Sequence, residues 1–99
     1  MMCRGAIIRY IVIDKCLGST QDPMTKSEIR DKVNEKLADL GIRPVSLRTI
    51  TQDLIDLRER EIFDAPVKLF RDEENVVRYK YSIPYYSIFT KNRFYGKLR

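Results

Sequence analysis

The chain has no histidine among its 99 residues, and that absence removes several kinds of chemistry at once. Histidine is the commonest general acid–base and metal-ligating side chain near neutral pH. Without it, neither a Ser-His nor a Cys-His nucleophile can be assembled. Cysteine is scarce as well. Cys3 and Cys16 are the only two, too few for a disulfide framework, without CxxC spacing, and insufficient for a zinc site. Such usage points to a reducing, cytoplasmic compartment. Cys16, beside Leu17, reads as a core thiol rather than a redox sensor. Neither GxxxxGK[ST] nor GxGxxG occurs, and Asp72-Glu73-Glu74 falls in a turn where solvated charge is the ordinary explanation. The expectation is a non-enzyme with no cofactor and no metal.

Long hydrophobic runs are missing too. The longest apolar stretch, Ala6 to Ile13, is interrupted by Arg9 and ends at Asp14-Lys15. A bilayer span requires about 18–20 apolar residues, and the small-residue cleavage pattern of a secretory signal is lacking. No membrane partner is expected. With 43% hydrophobic and 33% charged residues, the composition is that of one globular domain.

The net charge of +5 is unevenly distributed. Residues 84–99 carry Lys91, Arg93, Lys97 and Arg99 and no acid, whereas the rest of the chain is nearly neutral. The division expected is a domain over residues 1–88 and a basic tail or linker over 89–99. Such a tail holds phosphates without sequence preference and in a salt-sensitive way. The case for a more specific partner rests on the middle of the chain.

Residues 6–17 are apolar nearly all round and rich in β-branched residues, so periodicity alone does not separate helix from strand. Twelve residues without Gly or Pro favour a helix. After a loop over residues 18–23, Thr25-Lys26-Ser27-Glu28 fits a capping box. Ile29, Val33, Leu37 and Leu40 then draw one apolar stripe at helical spacing. Gly41 and Pro44 end that helix. Ser46 opens a third helix over residues 46–60, with Leu47, Ile50, Leu54 and Leu57 as its stripe.

Beyond Glu61 the period becomes two. Val67, Leu69 and Arg71 alternate with Lys68 and Phe70; Val77, Tyr79, Tyr81 and Ile83 alternate with Val76, Arg78, Lys80 and Ser82. Asp72-Glu73-Glu74-Asn75 supplies a hairpin turn. The apolar and aromatic face is expected on the helices, and the other face carries Lys68, Arg78 and Lys80. The fold class is mainly α with a β-hairpin: a winged helix-turn-helix, three helices plus a two-stranded wing.

The third helix has what a major-groove reader needs: polar side chains on its first turns and apolar anchors behind. Arg48 suits a guanine edge or a phosphate, Gln52 an adenine edge, and Ser46, Thr49 and Thr51 phosphates or thymine methyls. The acidic hairpin turn would be repelled by phosphates, so any wing contribution falls to Lys68, Arg78 and Lys80. The expected DNA-binding residues are therefore Ser46, Arg48, Thr49, Thr51, Gln52, Lys68, Arg78 and Lys80. Two other functions fit the same elements. One is a winged-helix protein–protein module with only non-specific nucleic-acid affinity. The other is a single-strand or RNA binder using Tyr79, Tyr81, Tyr85 and Tyr86 as a stacking surface.

The stretch Val45-Ser46-Leu47-Arg48-Thr49-Ile50-Thr51-Gln52-Asp53-Leu54 resembles the recognition-helix signature of DeoR-like winged-helix repressors. Ile8 to Leu17, Asp64-Ala65-Pro66-Val67 and Pro84-Tyr85-Tyr86-Ser87-Ile88 resemble the N-terminal domain of WYL-domain transcriptional regulators of Bacteroides-type bacteria. The likeness covers about residues 6–88. It implies a bacterial, sequence-specific module for double-stranded DNA, with Ser46, Arg48 and Thr49 at DNA-contacting positions. Leu47 departs from the pattern, where a basic residue is usual, and lowers the expected phosphate affinity. Such regulators carry a C-terminal WYL ligand-sensing domain, so the resemblance makes this chain an excised domain or a short stand-alone relative. A homodimer is expected of a full-length regulator, on paired half-sites.

Overall fold

The computed structural model describes residues 4–18 and 22–89. Helix α1 spans Arg4–Gly18, α2 Lys26–Asp39 and α3 Leu47–Glu59, followed by strands β1 Val67–Arg71 and β2 Val77–Tyr81. The arrangement is a winged helix-turn-helix, mainly helical with one hairpin. Among the described residues, no helix is long and apolar enough to cross a membrane.

The ambiguous first segment is a helix. Its apparent all-round hydrophobicity resolves into one buried stripe, Tyr10, Ile13, Asp14 and Leu17, at helical spacing. Ile7 and Ile11 fall on the other side and are exposed. Helix α2 begins with the reciprocal cap: Glu28 N–H donates to Thr25 Oγ1 at 3.1 Å, and Thr25 N–H donates to Glu28 Oε1 at 2.8 Å. Ile29, Val33 and Leu37 are fully buried. Leu40, expected to extend the stripe, is instead the C-cap and partly exposed. The chain turns there because Gly41 adopts φ 71°. Ile42 N–H then reaches Leu37 O at 2.9 Å and Gly41 N–H reaches Ala38 O at 3.0 Å, the paired bonds of a Schellman ending.

Ile50, Leu54 and Leu57 of α3 close the core against Ile13, Leu17, Ile29, Val33 and Leu37. Tyr10 stacks on Phe63 beyond α3, with ring centroids 5.0 Å apart. The hairpin pairs Val67 with Tyr81, Lys68 with Lys80, Leu69 with Tyr79 and Phe70 with Arg78. Tyr81 is buried, and Tyr79 packs half-buried against the core. Leu69, on the same face, is 44% exposed and stands across a small cavity from Thr51, Leu54 and Ile55 of α3. Met24 adds a single bridge on the outer edge of β2, exchanging bonds of 3.2 and 2.8 Å with Tyr79. The second strand is shorter than its alternation suggests. After Ser82 donates to Pro66 O, the chain leaves the sheet, and Ile83 is exposed.

The segment after β2 returns to α1 through one carboxylate. Asp14 accepts from the Tyr81 hydroxyl at 2.7 Å, the Ser87 hydroxyl at 2.6 Å and the Ile88 N–H at 3.0 Å. Burial and this carboxylate push the Tyr81 hydroxyl far above its ordinary pKa. Gly18 sits where a Cβ would stand 2.8 Å from Tyr86 O, so only glycine permits this approach. The basic tail expected after residue 88 lies, beyond Phe89, outside the described residues, as does Cys3.

Candidate nucleic-acid interface

The pose of α3 is fixed from α2. Asn34 clamps the connection with both ends of its amide: Val45 N–H donates to Oδ1 at 2.8 Å, and Nδ2 donates to Val45 O at 3.1 Å. This pair ties the residue before the N-cap to the middle of α2. It therefore sets the angle at which α3 leaves the turn. At the N-cap, Ser46 Oγ accepts from Thr49 N–H at 3.4 Å, and the first turn keeps the positive end of the helix dipole outward.

Helical spacing then separates the side chains. Arg48 and Gln52 stand one turn apart on the face opposite Ile50, Leu54 and Leu57, and both are exposed, as is Ser46. Thr49 is half-buried, its hydroxyl 3.4 Å from that of Ser46. Gln52 donates to Asp56 Oδ1 at 2.9 Å, which orients the amide and sets an acid one turn behind it. Thr51 belongs elsewhere. Its hydroxyl donates to Leu47 O at 3.0 Å, and it lines a small cavity of about 140 Å³ toward Leu69 and Tyr79 of the wing.

Behind the exposed face, Asp53 is buried within the apolar stripe. Arg9 of α1 meets it with two donors, Nε at 2.7 Å and Nη2 at 3.2 Å. Burial pushes the Asp53 carboxyl above its ordinary pKa, against the pull of the guanidinium. The pair couples the back of α3 to α1 by a directional contact rather than by packing alone. Periodicity contained a signal for it: position 53 lies three after Ile50 and four before Leu57, and Arg9 interrupts an otherwise apolar run. Asn34 carried no such signal, because a polar residue on a helix surface is unremarkable until its partner is known. Arg43, exposed in the turn just ahead of Ser46, belongs to no sequence motif, although it is basic and close to the start of α3.

The wing divides the expected set. Val67, Leu69, Tyr79 and Tyr81 share the face turned to the helices, so Lys68, Phe70, Arg78 and Lys80 face away from α3. The structure thus brings Ser46, Arg48, Thr49 and Gln52 together and places Lys68 and Lys80 on another surface. Arg78 is committed to intramolecular partners at the surface: it donates to Asp72 at 3.0 Å, Glu28 at 3.2 Å and the Pro23 carbonyl at 3.3 Å. Asp72 is the keystone of the turn. Bonds from the Val76 N–H, the Arg78 guanidinium and the Glu74 N–H hold its carboxyl below the ordinary value. Glu73 and Glu74 remain exposed at the tip. Tyr79 and Tyr81 face the helices, so the four-tyrosine stacking surface does not form.

Compared with known proteins, the chain matches no family model, no curated protein and no solved structure.

Proposed function

We propose that the chain is a sequence-specific binding module for double-stranded DNA, working within a bacterial transcriptional regulator, with α3 reading the major groove. The observation that carries this reading is the division of α3 into two faces. Ser46, Arg48 and Gln52 are exposed on its first turns, while Ile50, Leu54 and Leu57 anchor it in the core. A groove about 12 Å wide admits such a helix and offers guanine to arginine and adenine to glutamine. The Asn34 clamp and the Arg9–Asp53 pair support the reading because base recognition demands a fixed helix. The resemblance to DeoR-like and WYL regulators points the same way. Arg43, Ser46 and Thr49 contact phosphates flanking the bases that Arg48 and Gln52 read; Lys68, Lys80 and the basic tail do not contribute specificity.

The test is fluorescence anisotropy of the chain and Arg48→Ala on a duplex from upstream of its own gene and on a scrambled duplex. A guanine contact makes Arg48→Ala cost about 1–3 kcal/mol on the native fragment alone. Equal binding to both duplexes, steeply salt-dependent and unchanged by the substitution, would refute the proposal and leave the protein–protein reading in its place.

A further inference from the structure

A groove of about 370 Å³ lies on the outer face of the wing, bounded by the end of α1 and the segment after β2. Lys68, Phe70, Lys80 and Tyr85 line it. Lys68 and Lys80 are directly opposite each other in the strand register, so two basic side chains leave one face of the sheet from neighbouring positions. The Lys68 ammonium stands 5.5 Å from the centroid of the Phe70 ring.

Pro84 and Tyr85 are the central residues of a turn in which Tyr86 N–H donates to Ile83 O at 3.3 Å. Tyr85 has φ 61°, at the position where Pro-initiated turns of this kind take glycine or asparagine. Its side chain is 80% exposed, so packing within the fold does not compensate the strain. Residues held in such strained conformations cluster at active sites and ligand clamps. Here that ring borders two lysines and a second ring.

We propose that this groove binds a nucleobase–phosphate unit, the base stacked on Tyr85 and the phosphate held between Lys68 and Lys80. Aromatic platforms among basic side chains bind unpaired bases with little sequence preference. A base inside an intact duplex offers no free face, so the ligand is an unpaired nucleotide, within a strand or free. The groove faces away from α3, and the inference stands whether or not α3 reads duplex DNA.

The test titrates the full chain with an oligothymidylate of about eight nucleotides and, separately, with thymidine 5′-monophosphate. Amide chemical shifts are followed at about 0.3 M salt, where contacts of the basic tail are screened. Shifts centred on Lys68, Lys80 and Tyr85 are expected. Tyr85→Ala should weaken strand binding about tenfold, and Tyr85→Phe should preserve it. Tyr85→Gly should weaken binding equally while raising Tm by about 2–6 °C, because it relieves the strain and removes little packing. Tighter binding of the strand assigns the unit to single-stranded nucleic acid; equal binding of the monophosphate assigns it to a free nucleotide. Wild-type affinity in Tyr85→Ala and Tyr85→Gly, or tighter binding of an acidic peptide of similar length, overturns the proposal.

Discussion

Asn34 offers the sharpest test of how α3 is held, because its two hydrogen bonds act on one residue and contribute little packing. Asn34→Ala removes the acceptor for Val45 N–H at 2.8 Å and the donor for Val45 O at 3.1 Å. Both partners are partly buried, so each bond contributes about 1 kcal/mol net, or about 2 kcal/mol for the pair. Alanine returns about 0.5 kcal/mol through its higher helix propensity. The expected loss is therefore about 1.5 kcal/mol, a fall in Tm of about 6–12 °C for a domain of this size. Asn34→Asp provides the more discriminating arm. Its carboxylate still accepts from Val45 N–H but opposes Val45 O, so near neutral pH it should be no more stable than the alanine variant. Below about pH 4 the protonated carboxyl regains a donor, and the gap to wild type should narrow. Urea denaturation at both pH values measures this. A loss under about 0.5 kcal/mol for Asn34→Ala, or a pH-independent deficit in Asn34→Asp, would refute the argument. If α3 reads DNA, Asn34→Ala should also reduce preference for the native duplex more than affinity for the scrambled one.

Three further outcomes follow from named contacts. Gly41 has φ 71°, and a Cβ placed there would meet nothing within 4 Å, so Gly41→Ala isolates backbone strain and should cost about 1–2 kcal/mol; Gly41→Asn, tolerant of that conformation, should cost less by thermal melting. The folded pKa of Asp53 is raised above 3.8, so its contribution to stability is full below that value and declines as pH rises through the folded pKa. Arg9→Met, which removes the counter-charge, should steepen this decline above pH 3.8, and adding Asp53→Asn should abolish it; parallel pH profiles for the single and double variants would show that no coupling exists. Asp14→Ala strands the buried Tyr81 hydroxyl and releases Ser87 and the Ile88 N–H, and should cost about 3 kcal/mol in urea unfolding, with loss of tyrosine near-UV dichroism.

The elements of this fold are written locally. A threonine three residues before a glutamate, an apolar stripe at intervals of three and four, a glycine at the left-handed ending and a serine at the next cap define α2 and α3 wherever they occur. Two alternating runs around an acidic turn likewise define the wing. Each depends on neighbours within a few residues, which is why sequence alone determined the element order and most of the core. Tertiary structure decided which polar residues work inside the fold. Asp14 and Asn34 are ordinary helix residues until Tyr81 and Val45 arrive beside them, and Asp53, already conspicuous in its apolar stripe, is matched only when the fold brings Arg9 to it. Alternation already put Lys68, Arg78 and Lys80 on the face opposite the apolar one. What the packing of Val67, Tyr79 and Tyr81 decided is that this face lies apart from the exposed side of α3, so that Lys68 and Lys80 do not join Arg48 and Gln52. Arg78 is the clearest case, since its charge is legible in sequence and its commitment to Asp72 and Glu28 depends on a fold that brings residues 50 positions apart within 3.2 Å.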